Sequence, residues 1–269
     1  MNDRLLQLFT FLLLAVASKL TAAQLTLVPA QDVFIFAGVK GNIPVTVQND
    51  AEEAIAQDLS YRIYQGSSAT LVPLDEKAPI PQQSFPSLAS LTIALPFTPP
   101  EVRAITPFIL KVFSNETEIG ALNITVVPPK VFSRLKELKL KQILLYEPAT
   151  WLRPLLDENG VEITDESSPE VNLHIVHLSN PDAEATWKDR ALSNSVPTLF
   201  ITGRGVSGAE KLLPTKSVQK NDRRAVVLQD WFIPDLQENP LSQLRLLRAI
   251  QLACKPELEL APNFKKTND

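Results

Sequence analysis

The alternation of apolar and polar residues along this 269-residue chain changes period at Pro128-Pro129. No other feature constrains the fold as much. Before that point, residues 24–129 read as β. Short strands are expected at Val33–Phe36, Ile43–Gln48, Leu59–Tyr64, Ala69–Val72, Leu88–Leu95, Phe108–Phe113 and Gly120–Val127. Ile43, Val45 and Val47 alternate with polar or proline positions, and Ile109, Lys111 and Phe113 alternate with their neighbours. A period of two puts one face of a strand in a core and the other in water. Gly38, Gly41, Gly66, Pro79, Pro81, Pro86, Pro96 and Pro99-Pro100 punctuate the runs, and no long amphipathic helix interrupts them. About seven short strands in about 105 residues predict a β-sandwich.

Pro128-Pro129 cannot continue a sheet ladder and holds the chain extended. A short basic helix, Val131–Leu140, is expected next, within a linker over residues 130–140. Residues 141–256 then alternate strands with helices. The strands are Ile143–Tyr146, Val161–Thr164, Val171–Leu178, Thr198–Thr202 and Ala225–Leu228. The helices are Trp151–Asn159, with Gly160 as its C-terminal cap, and Asp182–Ser193 after Pro181. A third helix opens at Asn239-Pro240, where Asn239 caps and Pro240 suits the first helical position. Its apolar face holds Leu241, Leu244, Leu247, Ile250 and Leu252, with Arg245 and Arg248 among them. Such alternation predicts a parallel sheet with helices on both faces, a three-layer α/β domain of flavodoxin-like order. The tail, residues 257–269, is polar and expected to be loose.

The first 23 residues have the layout of a secretory signal peptide. Arg4 supplies a short basic start, and Leu5 to Ala17 is apolar apart from Gln7 and Thr10. Thr21-Ala22-Ala23 is a small-residue end before Gln24, so cleavage is expected after Ala23. The apolar run falls short of the roughly 20 residues a membrane-spanning helix needs. No membrane span is expected in the mature chain. Cleavage leaves 24 basic and 29 acidic residues, a formal charge of −5. That balance argues against nucleic acid as a partner, which needs a basic face. Cys254 is the one cysteine, so no intramolecular disulfide can form, and the core alone must hold the fold. An exported chain of this kind suits a bacterial periplasm or bacterial secretion.

Residues 24–129 look like the immunoglobulin-like modules common in bacterial surface and periplasmic proteins. The likeness is one of strand pattern, since the Cys–Trp–Cys hallmark is absent. In the second half, Val196 to Thr202 is a strand followed by Gly203-Arg204-Gly205. This resembles the strand-to-helix turn that carries the cysteine nucleophile in class I glutamine-amidotransferase-like domains. Here the turn holds Gly203, Arg204 and Gly205, so the resemblance implies a degenerate domain whose nucleophile is missing. Arg204 would present a cationic fork to an anion.

Ligands of open parallel sheets bind beyond the carboxyl ends of the strands. The candidates there are Glu147 after the first strand and His177 near the end of the third, followed by Ser179 and Asn180. Gly203, Arg204 and Gly205 follow the fourth, and Asp230 and Trp231 the fifth. His174 and His177 are the two histidines, and three residues apart on one strand they point to opposite faces. No His/Cys cluster has metal spacing and no phosphate-binding loop occurs, so neither metal nor cofactor is expected. The sequence therefore predicts a non-catalytic binding or scaffold module of the cell envelope, with an envelope protein or a small anionic ligand as partner. The alternatives are a hydrolase acting through Glu147, His177 or Asp230, and a structural subunit of an envelope complex.

Overall fold

The computed structural model describes residues 25–30, 32–66, 70–146, 152–178, 196–202, 215–220, 223–229 and 236–255. The chain divides into two compact units, Met1–Val127 and Pro128–Asp269.

The first unit is two sheets around one core. Strands β1 (Leu25–Leu27), β3 (Gly41–Asn49) and β7 (Ser90–Phe97) form an antiparallel sheet in the order β1-β3-β7. Strands β2 (Val33–Phe36), β9 (Thr117–Val127), β8 (Thr106–Ser114), β4 (Ile55–Gly66) and β5 (Leu71–Pro73) form the other, in the order β2-β9-β8-β4-β5. Strand β6 (Ala78–Phe85) pairs with the first half of β4. The alternation places Ile43, Val45, Val47 and Leu95 of one sheet in the core with Leu59, Leu110, Val112, Leu122 and Ile124 of the other. Phe97 and Phe108 bridge the sheets edge to face, with ring centroids 6.4 Å apart.

Strands β1 and β6 are absent from the sequence expectation. In β6, Pro79 and Pro81 argue against a strand, because proline donates nothing to a ladder. Proline is tolerated on an edge strand, and among the described strands β6 pairs with β4 alone.

In the second unit, β10 (Gln142–Tyr146), β11 (Ile163–Thr164), β12 (Val171–Leu178), β13 (Thr198–Thr202), β14 (Thr215–Lys220) and β15 (Arg223–Gln229) form one sheet. Its order is β11-β10-β12-β13-β15-β14. All neighbours are parallel except β14 and β15, which form an antiparallel edge hairpin. Helix α1 covers Leu152–Asp157 and α2 covers Pro240–Cys254. Asn239 Oδ1 accepts the N–H groups of Leu241 at 3.0 Å and Ser242 at 3.2 Å, as a capping asparagine should. Leu246, Leu247, Ala249, Ile250 and Ala253 bury the inner face of α2.

The expected fold class, an immunoglobulin-like sandwich followed by a three-layer flavodoxin-like α/β domain, is overturned. Among the described residues the chain is mostly β. Three layers require helices over both faces of the sheet. Among the described residues the second unit carries only α1, α2 and a 3-10 helix, Val131–Leu138, at the place of the short basic helix expected over Val131–Leu140. Hydrogen bonds from Ser133 N–H to Lys130 O and from Lys139 N–H to Lys136 O, three residues apart, mark the tighter turn. The expected helix Asp182–Ser193 lies outside the described residues. Strand β14 forms where no element was expected. Its polar sequence, Thr-Lys-Ser-Val-Gln-Lys, lacks the apolar face that identifies a half-buried strand.

Helix α1 ends in a left-handed turn at Gly160, φ +70°. Gly160 N–H donates to Asp157 O at 2.9 Å and Val161 N–H to Leu156 O at 3.2 Å, the paired bonds of a Schellman cap. A Cβ on Gly160 would meet nothing within 4 Å, so alanine there adds backbone strain alone. Gly160→Ala is expected to cost about 1 kcal/mol, read as a lower urea midpoint at unchanged slope.

Candidate functional site

Four parallel strands of the second unit end together. Leu178 pairs with Thr202, and Thr202 with Gln229, while Tyr146 pairs with Val176. The carboxyl ends of β10, β12, β13 and β15 therefore share one edge of the sheet. Glu147, Ser179, Gly203, Arg204, Gly205 and Asp230 follow those ends in the chain and lie outside the described residues, as do Asn180 and Trp231. His177 is the one candidate whose place is described: it is half-buried on β12, beside Ile201 of β13.

His174 lies on the same strand, in unbroken register with β13, so the two imidazoles project from opposite faces. His174 is buried, and its backbone N–H donates to Pro197 O at 2.9 Å. Desolvation disfavours the imidazolium and lowers the His174 pKa from the ordinary 6.5. The unfolded chain then takes up a proton before the folded one does. Above pH 6.5 the residue is neutral in both states and has no effect on stability. As pH falls below that value, stability declines until the folded pKa is reached. Urea midpoints measured from about pH 7.5 down to about pH 5 should fall, and His174→Gln should flatten that part of the slope.

A second cluster lies on the solvent face of the β4–β8 ladder, and the sequence reading missed it. Register sets Ser60 beside Phe113, Arg62 beside Lys111 and Tyr64 beside Ile109. Like charges directly opposite one another are destabilising. Here both cations are compensated. Arg62 Nε donates to Asp75 O at 2.8 Å, and Lys111 Nζ donates to Glu118 Oε2 at 2.8 Å. The hydrogen bond that Lys111 donates to the Glu118 carboxylate raises the Lys111 pKa and keeps the amine charged. Arg62 Cζ and Lys111 Nζ also lie 5.7 and 5.8 Å from the centroid of Tyr64. Lys77 Nζ sits 4.4 Å from the Phe113 centroid and 2.5 Å from Glu116 Oε2. Alternation along β4 and β8 marks these residues as outward-facing, but only the register between the strands brings them together.

Each of these cations holds a carboxylate or a carbonyl. The cluster is a ladder of paired charge that braces the sheet surface, and it presents no activated nucleophile or base. Among the described residues no group of three His, Cys, Asp or Glu side chains is placed to hold a metal ion. Among them, too, no helix is long and apolar enough to cross a membrane.

No protein-family model and no curated protein matches the chain. Among solved structures it is similar in part to the Pseudomonas fluorescens alkylpurine DNA glycosylase AlkC bound to DNA containing an abasic site analog. That match has 15% identity and a TM-score of 0.31, over 41% of this chain and 32% of the glycosylase. A β-glucosidase from Listeria innocua in complex with glucose matches at 12% identity and a TM-score of 0.30, over 38% of this chain and 16% of the enzyme. A CARDB domain from Pyrococcus furiosus in complex with di-metal ions matches at 14% identity and a TM-score of 0.27, over 39% of this chain and 86% of the domain. This chain thus spans a third or less of the two enzymes. Partial matches at such scores assign it neither a fold family nor a function.

Proposed function

We propose that this protein is an exported, non-catalytic binding or scaffold module of the bacterial cell envelope. The leader-like layout of residues 1–23 supports export. The observation that carries the non-catalytic reading is the separation of His174 and His177 onto opposite faces of β12. Two imidazoles so placed cannot serve one reacting centre. The partner in this reading is an envelope protein or a small anionic ligand at the strand-end edge.

Expression of the full chain in a bacterium, followed by fractionation and intact-mass analysis, tests the proposal. A periplasmic or secreted species beginning at Gln24 is expected, inert toward ester, amide and glycoside substrates. A chain that keeps Met1 and stays in the cytoplasm would refute export.

A hydrolase is the second reading. The shared edge formed by the ends of β10, β12, β13 and β15 favours it, with Glu147, His177 and Asp230 as its groups. Substrate turnover that is lost in both His177→Ala and Asp230→Ala would replace the scaffold reading with this one.

A further inference from the structure

We propose that two copies of this chain pair through strand β7 of the first unit, antiparallel about a two-fold axis at Thr92. The β1-β3-β7 sheets of the two copies then run on as one sheet. The pairing requires neither export nor a ligand, so it stands apart from the scaffold reading.

Edge strands are ordinarily guarded against such pairing by shortness, by proline or by charge. The other edges of the first unit follow this rule. Strands β1, β2 and β5 have three, four and three residues, and β6 carries Pro79 and Pro81. Strand β7, Ser-Leu-Thr-Ile-Ala-Leu-Pro-Phe, is eight residues long, holds no charged residue and has its one proline at position 96. Among the described strands it pairs with β3 alone.

Two prolines fix which way its backbone groups point. Register sets Asn42 opposite Pro96 and Pro44 opposite Ala94. Proline has no N–H, so neither can be a pair that exchanges both hydrogen bonds, and in an antiparallel ladder bonded and non-bonded pairs alternate. The N–H and C=O groups of Leu91, Ile93 and Leu95 therefore serve β3, and those of Ser90, Thr92 and Ala94 face the open edge. Two bonds at the strand ends agree. Ala89 O turns toward β3 and accepts the Asn49 N–H at 2.9 Å, while Pro96 O accepts the Tyr61 hydroxyl of the other sheet at 3.1 Å.

A two-fold axis at Thr92 sets Ser90 opposite Ala94 of the second copy, and Thr92 opposite Thr92. Each outward N–H of either copy then meets a carbonyl, and Pro96 is left out. Other registers bring Pro96 in or leave an outward group unpaired. On the core face the same register sets Leu91 beside Ile93 of the second copy. Both side chains are half-buried against the rim of the core, and apolar cross-strand pairs stabilise a ladder. On the outer face Ser90, Thr92 and Ala94 meet, all exposed, small and uncharged. Leu88, 69% exposed, comes just before the strand, at the end that Pro96 of the second copy approaches. The same patch serves both copies, so the assembly closes at a dimer.

Sedimentation equilibrium on the purified protein tests this. The weight-average mass should rise with concentration to twice that of one chain and level off there. Thr92→Lys and Thr92→Glu each set like charges opposite one another at the axis, and each should raise the dimer dissociation constant by about tenfold or more. Position 92 is exposed in a single copy, so circular dichroism should stay that of the wild type. An equimolar mixture of the two variants should dimerise again. Thr46 lies beside Thr92 on the same sheet face, one strand in from the edge, and Thr46→Lys should leave the dimer intact. A wild type that stays monomeric overturns the proposal, as does one recovered as a single copy with a different protein on this edge. So does a dimer that survives Thr92→Lys, a dimer that Thr46→Lys abolishes equally, or a mixture of the folded charged variants that stays monomeric.

Discussion

Replacing Asn49 with alanine should lower the unfolding free energy by about 3–5 kcal/mol. Asn49 is fully buried at the end of β3. Its Nδ2 donates to Glu53 O at 2.9 Å, Phe85 O at 3.1 Å and Pro86 O at 3.0 Å, and its Oδ1 accepts the Ala51 N–H at 2.9 Å. One side chain thus ties β3 to the end of β6 and to two turns. Alanine leaves these groups without their partner, the bond to Phe85 O being the buried one, and a buried group so stranded costs about 1–3 kcal/mol. Urea unfolding with a lower midpoint and the same slope would show it. A change below about 1 kcal/mol would mean that water replaces the amide and that the site is not closed.

Asn49→Asp sharpens the test through its pH dependence. It points an oxygen at three carbonyl oxygens, so the neutral acid is favoured in the fold and the folded pKa rises above the unfolded value of about 3.9. For an acid shifted upward, stability is greatest below the unfolded pKa and is lost as pH rises to the folded one. The aspartate variant should therefore be least impaired at acid pH and lose ground toward neutrality.

Gly120→Ala should cost about 2–3 kcal/mol, far more than the same change at Gly160. Gly120 lies in β9 where the ladder with β8 shifts register, Val112 pairing with Gly120 and Phe113 with Glu118. A Cβ added there would run into the Cβ of Leu27, with Leu27 Cδ2 at 3.1 Å and Cγ at 3.3 Å behind it. A Cβ is fixed by its own backbone and cannot swing aside, so β1 or β9 has to move. Chemical denaturation gives the cost. Combining Gly120→Ala with Leu27→Gly should recover part of it as a positive coupling energy. Additive losses would show that the strands part freely at this point.

These sites differ in how far the chain announces them. Asn239 before Pro240 and Gly160 after a short apolar helix are legible because a cap forms within a few residues of itself. The alternation of Ile43, Val45 and Val47 is equally local, and it identifies the core face of β3 before any partner strand is known. Two histidines three apart on a strand must also diverge, so His174 and His177 could be separated on paper. The strand-end edge follows from parallel pairing, and of its candidate residues His177 alone has a described position.

What depends on contacts distant in sequence was not legible. The proline-bearing β6 survives because β4 pairs with it, and β14 forms because β15 does the same. The α/β expectation failed for a related reason: helical patterning in residues 130–160 is weak, and only packing decides whether it becomes an α-helix, a 3-10 turn or a short helix stopped by a glycine. By itself the sequence determined which stretches alternate, where caps sit and what charge the chain carries, because those properties are encoded within a few neighbouring residues. The tertiary structure alone decided that Asn49 is buried among three carbonyls, that Gly120 abuts Leu27 and that Arg62, Tyr64 and Lys111 meet. Each of these depends on strand register, which a whole sheet and its shared core determine together.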